Sequence, residues 1–262
     1  QRGITADTDI DNITLLSRGG RGKTIGAVLG GSVVSILAHR PDLRSVFING
    51  QSYFTISRRK GKHIITSALE HSAVLEPCKA LERQGYEVTY LQPDETGTVT
   101  LAALRDALRP DTILVSIMMV NNEVGSVMPI AQMAKLTHKL SPNAIFHTDA
   151  VQGFLKIPFA ARNLGADLIS ISSHKIHGPK GVGALYISPR LKSFPALLLG
   201  GGQENGMRSG TEATPAIFGF AAACTAGSAT FREDAEKEKA LLNQLITQLS
   251  ALEGITINGA HD

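Results

Sequence analysis

From Gly61 to Ile187 short apolar runs alternate with stretches of helical periodicity, and no other feature of the chain constrains its fold as strongly. The firmest run is Thr112 to Met119, apolar at nearly every position, which reads as a strand covered on both faces as parallel sheets require. His63 to Ser67, Glu87 to Leu91, Ile145 to Asp149, Asp167 to Ile171 and Val182 to Ile187 read as further strands. Between them, His71 to Gln84 has Val74, Leu75, Cys78 and Leu81 on one helical face, and Leu101 to Leu108 reads as a second helix. Pro129 starts a third, ending near Leu140, in the first turn where a missing N–H costs nothing. Strand, helix and strand again imply right-handed crossovers, hence an α/β fold: a mainly parallel sheet with helices on both faces.

Past Ile187 the pattern changes. Pro215 to Ser228 reads as an alanine-rich helix and Arg232 to Leu252 as a long charged one, with Leu241, Leu242, Leu245, Ile246 and Leu249 on its buried side. Gly254 to Asn258 starts a new strand. Residues 1–59 are the least regular part. There, Gly22-Lys23-Thr24 suggests a phosphate loop, but the pattern needs a glycine where Ser17 stands, and a solvated turn is the better reading.

Composition narrows the partners. With 26 basic and 23 acidic residues, the charge demands neither a nucleic acid nor a membrane surface. The apolar stretch Ile25 to Ala38 is too short and too rich in glycine to span a bilayer, so a soluble protein is expected. Two cysteines, Cys78 and Cys224, make no disulfide framework and point to a reducing, cytoplasm-like compartment. Both fall on apolar helix faces, where a structural thiol is expected rather than an exposed thiolate.

Ligands of open α/β sheets collect at the carboxyl ends of the strands. Two chemically suggestive residues fall there. Asp149 ends one apolar run, and Lys175 follows another within Ser172-Ser173-His174-Lys175-Ile176-His177-Gly178-Pro179-Lys180-Gly181. A lysine that carries an aldehyde as an imine, and a carboxylate that keeps a pyridine nitrogen protonated, are what pyridoxal 5'-phosphate chemistry needs.

From about Lys60 to Asp262 the chain resembles the cysteine desulfurases, in the class V aminotransferase branch of the fold type I pyridoxal phosphate enzymes. Five motifs carry the likeness, in one order. They are Glu70-His71-Ser72-Ala73-Val74, Val120-Asn121-Asn122-Glu123-Val124-Gly125, Thr148-Asp149-Ala150-Val151-Gln152, the segment from Ser173 to Gly181, and the loop from Gly200 to Thr211. The resemblance implies a large cofactor-binding domain over 60–215 and, over 216–262, the start of a smaller second domain left incomplete. Residues 1–59 form a divergent segment. At the distance where the family places a phosphate-cradling turn, this sequence has His39 to Ser45, without glycine and with Pro41.

Roles follow from the resemblance, residue by residue. Lys175 carries the cofactor, and His71 lies over its ring and moves protons. Asn122 faces the phenolic oxygen and the substrate carboxylate, Asp149 the pyridine nitrogen, and Gln152 the phenolate oxygen. Asn121 is the neighbour that the motif leaves outside the site. Ser172 and His174 bind phosphate, while Thr211 reaches the phosphate of a neighbouring subunit, which implies a homodimer. No metal is implied.

The implied activity is removal of sulfur from L-cysteine, giving alanine and an enzyme persulfide for iron–sulfur cluster assembly or tRNA thiolation. An iron–sulfur scaffold or another sulfur-acceptor protein is the implied partner, and the cytoplasm, or a mitochondrial matrix, the implied location. The family's nucleophilic cysteine and its substrate-binding arginine match positions beyond Asp262, so these 262 residues carry the imine half of the site without the thiol half. Two alternatives stay open: a non-catalytic fragment that at most binds the cofactor or a partner, and a related selenocysteine lyase.

Overall fold

A computed structural model describes residues 61–191 and 199–258, with the backbone of three short strands before them. Those are β1 (Lys23–Gly26), β2 (Phe47–Ile48) and β3 (Gln51–Ser52); β2 and β3 form an antiparallel pair of their own. The stretch from His39 to Ser45, where a phosphate turn was sought, lies outside the described residues. Lys23 and Thr24 pair with Tyr186 and Ile187 along a strand, so they do not form the solvated turn expected of them, nor the helix start that a phosphate loop needs.

The main sheet combines β1 with β4 (His63–Ser67), β5 (Glu87–Leu91), β6 (Thr112–Ser116), β7 (Ile145–Asp149), β8 (Leu168–Ser172) and β9 (Gly183–Ile187). Its order is β1-β9-β8-β7-β6-β4-β5. The four pairings from β5 through β4, β6 and β7 to β8 are parallel, while β9 runs antiparallel to both β8 and β1. Every residue of β4, β6 and β7 is buried, the two-sided cover that the apolar run Thr112 to Met119 called for at β6.

Alternate residues divide between two cores. Ile64, Leu114, Ile145 and Leu168 meet Val74, Cys78 and Leu81 of α1 (Ser72–Glu82) on one face. Their neighbours Ile65, Val115, Phe146 and Ile169 share the other face with Leu104 of α2 (Leu101–Ala107) and Met133 of α3 (Ile130–Leu140). Helices therefore cover both faces, and a short α4 (Ala161–Leu164) precedes β8.

The last helix departs from expectation. Thr214–Ser250, α5, is one 37-residue helix rather than two. No glycine or proline falls between Ser228 and Arg232 to break it, and the Ser228 hydroxyl donates to the Cys224 carbonyl at 2.6 Å within the helix. Its first half packs Phe220 and Cys224 into the core. The leucine stripe of the second half is not buried as expected: Leu241, Leu242 and Leu245 are 66%, 53% and 51% exposed.

Candidate functional site

At the carboxyl ends of β6, β7 and β8 the loops open around a cavity of about 380 Å³. Seven of the eight expected site residues line it: His71, Asn122, Asp149, Gln152, Ser172, His174 and Lys175. Thr211 does not; it lies exposed beyond Gly210. Among the lining residues to which sequence reasoning gave no role are Met118, Val120, Val151 and Lys180.

Asp149 is the last residue of β7 and is buried. Its carboxylate accepts the Val151 N–H at 2.9 Å. Burial holds its pKa above the ordinary carboxylate value, against the pull of that N–H and of His71. A carboxylate so held favours a cation or an acidic N–H beside it.

Lys175 sits in a 3-10 turn, Ser173–Ile176, entered directly from β8. The Ser173 carbonyl accepts from the Gly178 N–H at 3.0 Å, and the Ser173 N–H donates to the Val182 carbonyl at 3.1 Å, so both ends of the turn are tied down. A Cβ at Gly178 would stand 2.0 Å from the Ser173 hydroxyl, which no side chain can do without displacing the turn. The lysine itself is exposed to the cavity.

Beside it the Ser172 hydroxyl and His174 Nδ1 are 2.6 Å apart. Partial burial and the charges of Lys175, Lys180 and His71 keep the His174 pKa below its usual value, so the ring tends to stay neutral and offer one N–H. The Gln152 carbonyl oxygen accepts from Lys156 Nζ at 3.3 Å, which leaves the amide N–H groups to face the cavity.

His71 is the N-cap of α1. Its Nδ1 accepts the Ala73 N–H at 3.1 Å, so the proton of the neutral ring belongs on Nε2. Asn122 stands in the loop after β6, next to Asn121, which is buried and faces away from solvent. Both cysteines are buried as expected, with thiol pKa values pushed up to about 12 by burial.

The sequence profile of the aminotransferase class V family matches residues 47–262. The chain belongs to that family, in its cysteine desulfurase branch. It is 46% identical over 203 residues to the cysteine desulfurase IscS of Photobacterium profundum, covering 77% of this chain and 50% of that protein. To the IscS of Acinetobacter baumannii it is 48% identical over 203 residues, covering 76% and 49%. The chain thus spans about half the length of the curated relatives it matches.

Several solved structures share the fold. A NifS-like protein matches with a TM-score of 0.70 at 41% identity, over 73% of this chain and 52% of its own. DndA from Streptomyces lividans matches at 0.69 and 38%, over 78% and 58%. SspA, solved in complex with cysteine, matches at 0.58 and 40%, over 63% and 47%. The architecture is that of the fold type I enzymes, and cysteine desulfurases as a family depend on pyridoxal phosphate.

Proposed function

We propose that this chain binds pyridoxal 5'-phosphate on Lys175 and forms the cofactor-holding part of a cysteine desulfurase, one that takes sulfur from L-cysteine and leaves alanine. The observation that carries this reading is a single cavity lined by both an accessible lysine amine and a buried, sparsely bonded carboxylate. The donor set fits the cofactor. Lys175 supplies the amine, Asp149 the carboxylate for the pyridine nitrogen, Asn122 and Gln152 amides for the phenolic oxygen, and Ser172 and His174 polar groups for the phosphate.

When bound, the cofactor supplies an electron sink for the substrate's Cα carbanion. The chain's own groups do the rest. Asp149 holds the proton on the ring nitrogen, because a buried carboxylate gains most from a neighbouring N–H⁺. Lys175 Nζ, once released, takes and returns the Cα proton, and His71 serves that proton traffic as a donor, through its Nε2–H. Gln152, steadied by Lys156, donates from its amide. The apolar flank of Met118, Val120 and Val151 limits water at the reacting centre.

Sulfur leaves cysteine when a thiolate attacks it, so that C–S cleavage is matched by S–S formation: cysteine and a thiol become alanine and a persulfide. Neither Cys78 nor Cys224 suits that thiolate, being buried with raised pKa values. The accepting thiol therefore lies on another segment or another protein, and the sulfur goes on to cluster assembly or tRNA thiolation in a cytoplasm. Thr211, exposed and outside this cavity, is the residue that would complete the phosphate site of a second subunit in a homodimer.

Incubation with pyridoxal phosphate, borohydride reduction and peptide mapping test the reading. One reduced adduct at Lys175, lost in Lys175→Ala, is expected; adducts scattered over surface lysines would sink it. Burial of both thiols favours a second reading, in which the chain holds the cofactor without turning over cysteine. Alanine release from cysteine by the loaded chain, with an added small thiol as sulfur acceptor, separates the two.

A further inference from the structure

His71 and Asn122 enter the cavity from different strand ends, yet the residue before each is buried and reaches across to the other's loop. Glu70 Oε1 accepts the Met118 N–H at 2.6 Å and the Ser67 hydroxyl at 2.8 Å. In return Asn121 Nδ2 donates to the Leu69 carbonyl at 3.1 Å, while its Oδ1 accepts the Glu123 and Val124 N–H groups, both at 2.9 Å. The turn after β4 and the loop after β6 are thus cross-tied, each by a side chain bonded to the other's backbone. We infer that Glu70 and Asn121 are paired positioning residues that buckle the His71 turn to the Asn122 loop, so that imidazole and amide reach the cavity as one unit.

Burial makes the buckle strong and costly to open. Glu70 and Asn121 are 4% and 5% exposed, and a buried donor stripped of its acceptor finds no water to replace it. Among the described residues Glu70 Oε2 has no hydrogen-bond partner, so only one oxygen of that carboxyl does the tying. A glutamine, which keeps that oxygen, therefore preserves the buckle, whereas alanine removes it. The titratable groups facing Glu70 are Asp149 from β7 and the Cys78 thiol from α1. Burial, reinforced by the Asp149 charge, raises its pKa to about 8, so near neutral pH the acid carries a proton and its amide analogue is a fair mimic.

The inference deepens the site reading, since His71 and Asn122 matter only if that reading holds, but it is tested on the ligand-free chain. Failure to bind pyridoxal phosphate therefore leaves it standing. Amide hydrogen exchange is followed in the full chain and in Glu70→Ala, Asn121→Ala and Glu70→Gln. Glu70→Ala is expected to speed exchange at least tenfold not only at Met118 but also at Glu123 and Val124, whose acceptor is Asn121. Asn121→Ala is expected to speed Met118 likewise. Phe146, whose N–H is held at the opposite end of the sheet by Asp167, is expected to keep its wild-type rate. Glu70→Gln is expected to stay within threefold of wild type at all four amides. Acceleration confined to the amide that directly lost its acceptor would overturn the inference. So would equal acceleration at Phe146, which would mean general destabilisation, or a Glu70→Gln chain as loose as Glu70→Ala.

Discussion

Asp149 and Asp167 are both buried acids at strand ends, at opposite ends of the neighbouring strands β7 and β8, and they are treated in opposite ways. Asp167, just before β8, receives Arg190 Nε at 2.6 Å and Nη2 at 2.8 Å, the Phe146 N–H at 2.8 Å and His138 Nε2 at 2.9 Å. Burial alone would raise its pKa, but these partners together hold it below the ordinary carboxylate value. Asp149, at the carboxyl end of β7, has the Val151 N–H and is held above that value. A saturated acid ties structure together; an acid left short of donors is ready for something else. On the function proposed above, the two ends of these strands divide stability from chemistry along that line.

Substitutions at the two acids should break the comparison most sharply. Asp167→Ala leaves Arg190 and the Phe146 N–H without their acceptor and should cost about 3 kcal/mol in urea unfolding. The matching Asp149→Ala should cost under about 1 kcal/mol, or even stabilise, since a charge that is poorly held in the fold is removed. In cofactor trapping the order inverts. Asp149→Ala should lower the adduct at Lys175 at least tenfold, and Asp167→Ala, at a temperature where it is folded, should leave it unchanged.

Next in size is the dependence on pH. Asp167 has a depressed folded pKa, so its stabilisation is complete above the unfolded carboxylate value and is lost as pH falls through the lower folded one. Asp149 and Glu70 have raised values, so what they contribute is present below the unfolded pKa and fades as pH rises through the folded one. For Glu70 that window runs from 4.5 to about 8. Unfolding titrations should therefore show an acid limb missing from Asp167→Asn and a decline towards pH 8 that is flattened in Glu70→Gln.

The smallest expected effect sharpens the chemical end alone. Lys156→Ala removes an exposed contact to Gln152 and should change stability by less than about 0.5 kcal/mol. Cofactor retention, followed by dialysis and absorbance, should fall about twofold as the Gln152 amide loses its support.

Much of this was legible in the residues. β6 lies in a nearly unbroken apolar run, Thr112 to Met119, and that pattern has few other readings. The cavity residues were found because four of the five motifs, taken in order, fall at strand ends. Strand direction was harder, since nothing within Gly183–Ile187 says that it runs antiparallel. The signal lay in the link: residues 173–182 are too few for a crossover helix, which needs a dozen or more. The exposed leucines of α5 escaped because a periodic stripe predicts which face is apolar and not whether anything covers it. Glu70 and Asn121 stood in quoted motifs without a role, because a hydrogen bond between loops 48 residues apart in sequence leaves no mark on the spacing of either.

One bond at the start of α1 reaches further than helix capping. Because the Ala73 N–H occupies the lone pair of Nδ1, the neutral His71 ring has no basic nitrogen left, and Nε2 can only donate. The imidazole becomes a base only if the capping bond is given up. Protonating this ring and capping this helix therefore exclude each other, so the start of α1 and the charge of its imidazole change together.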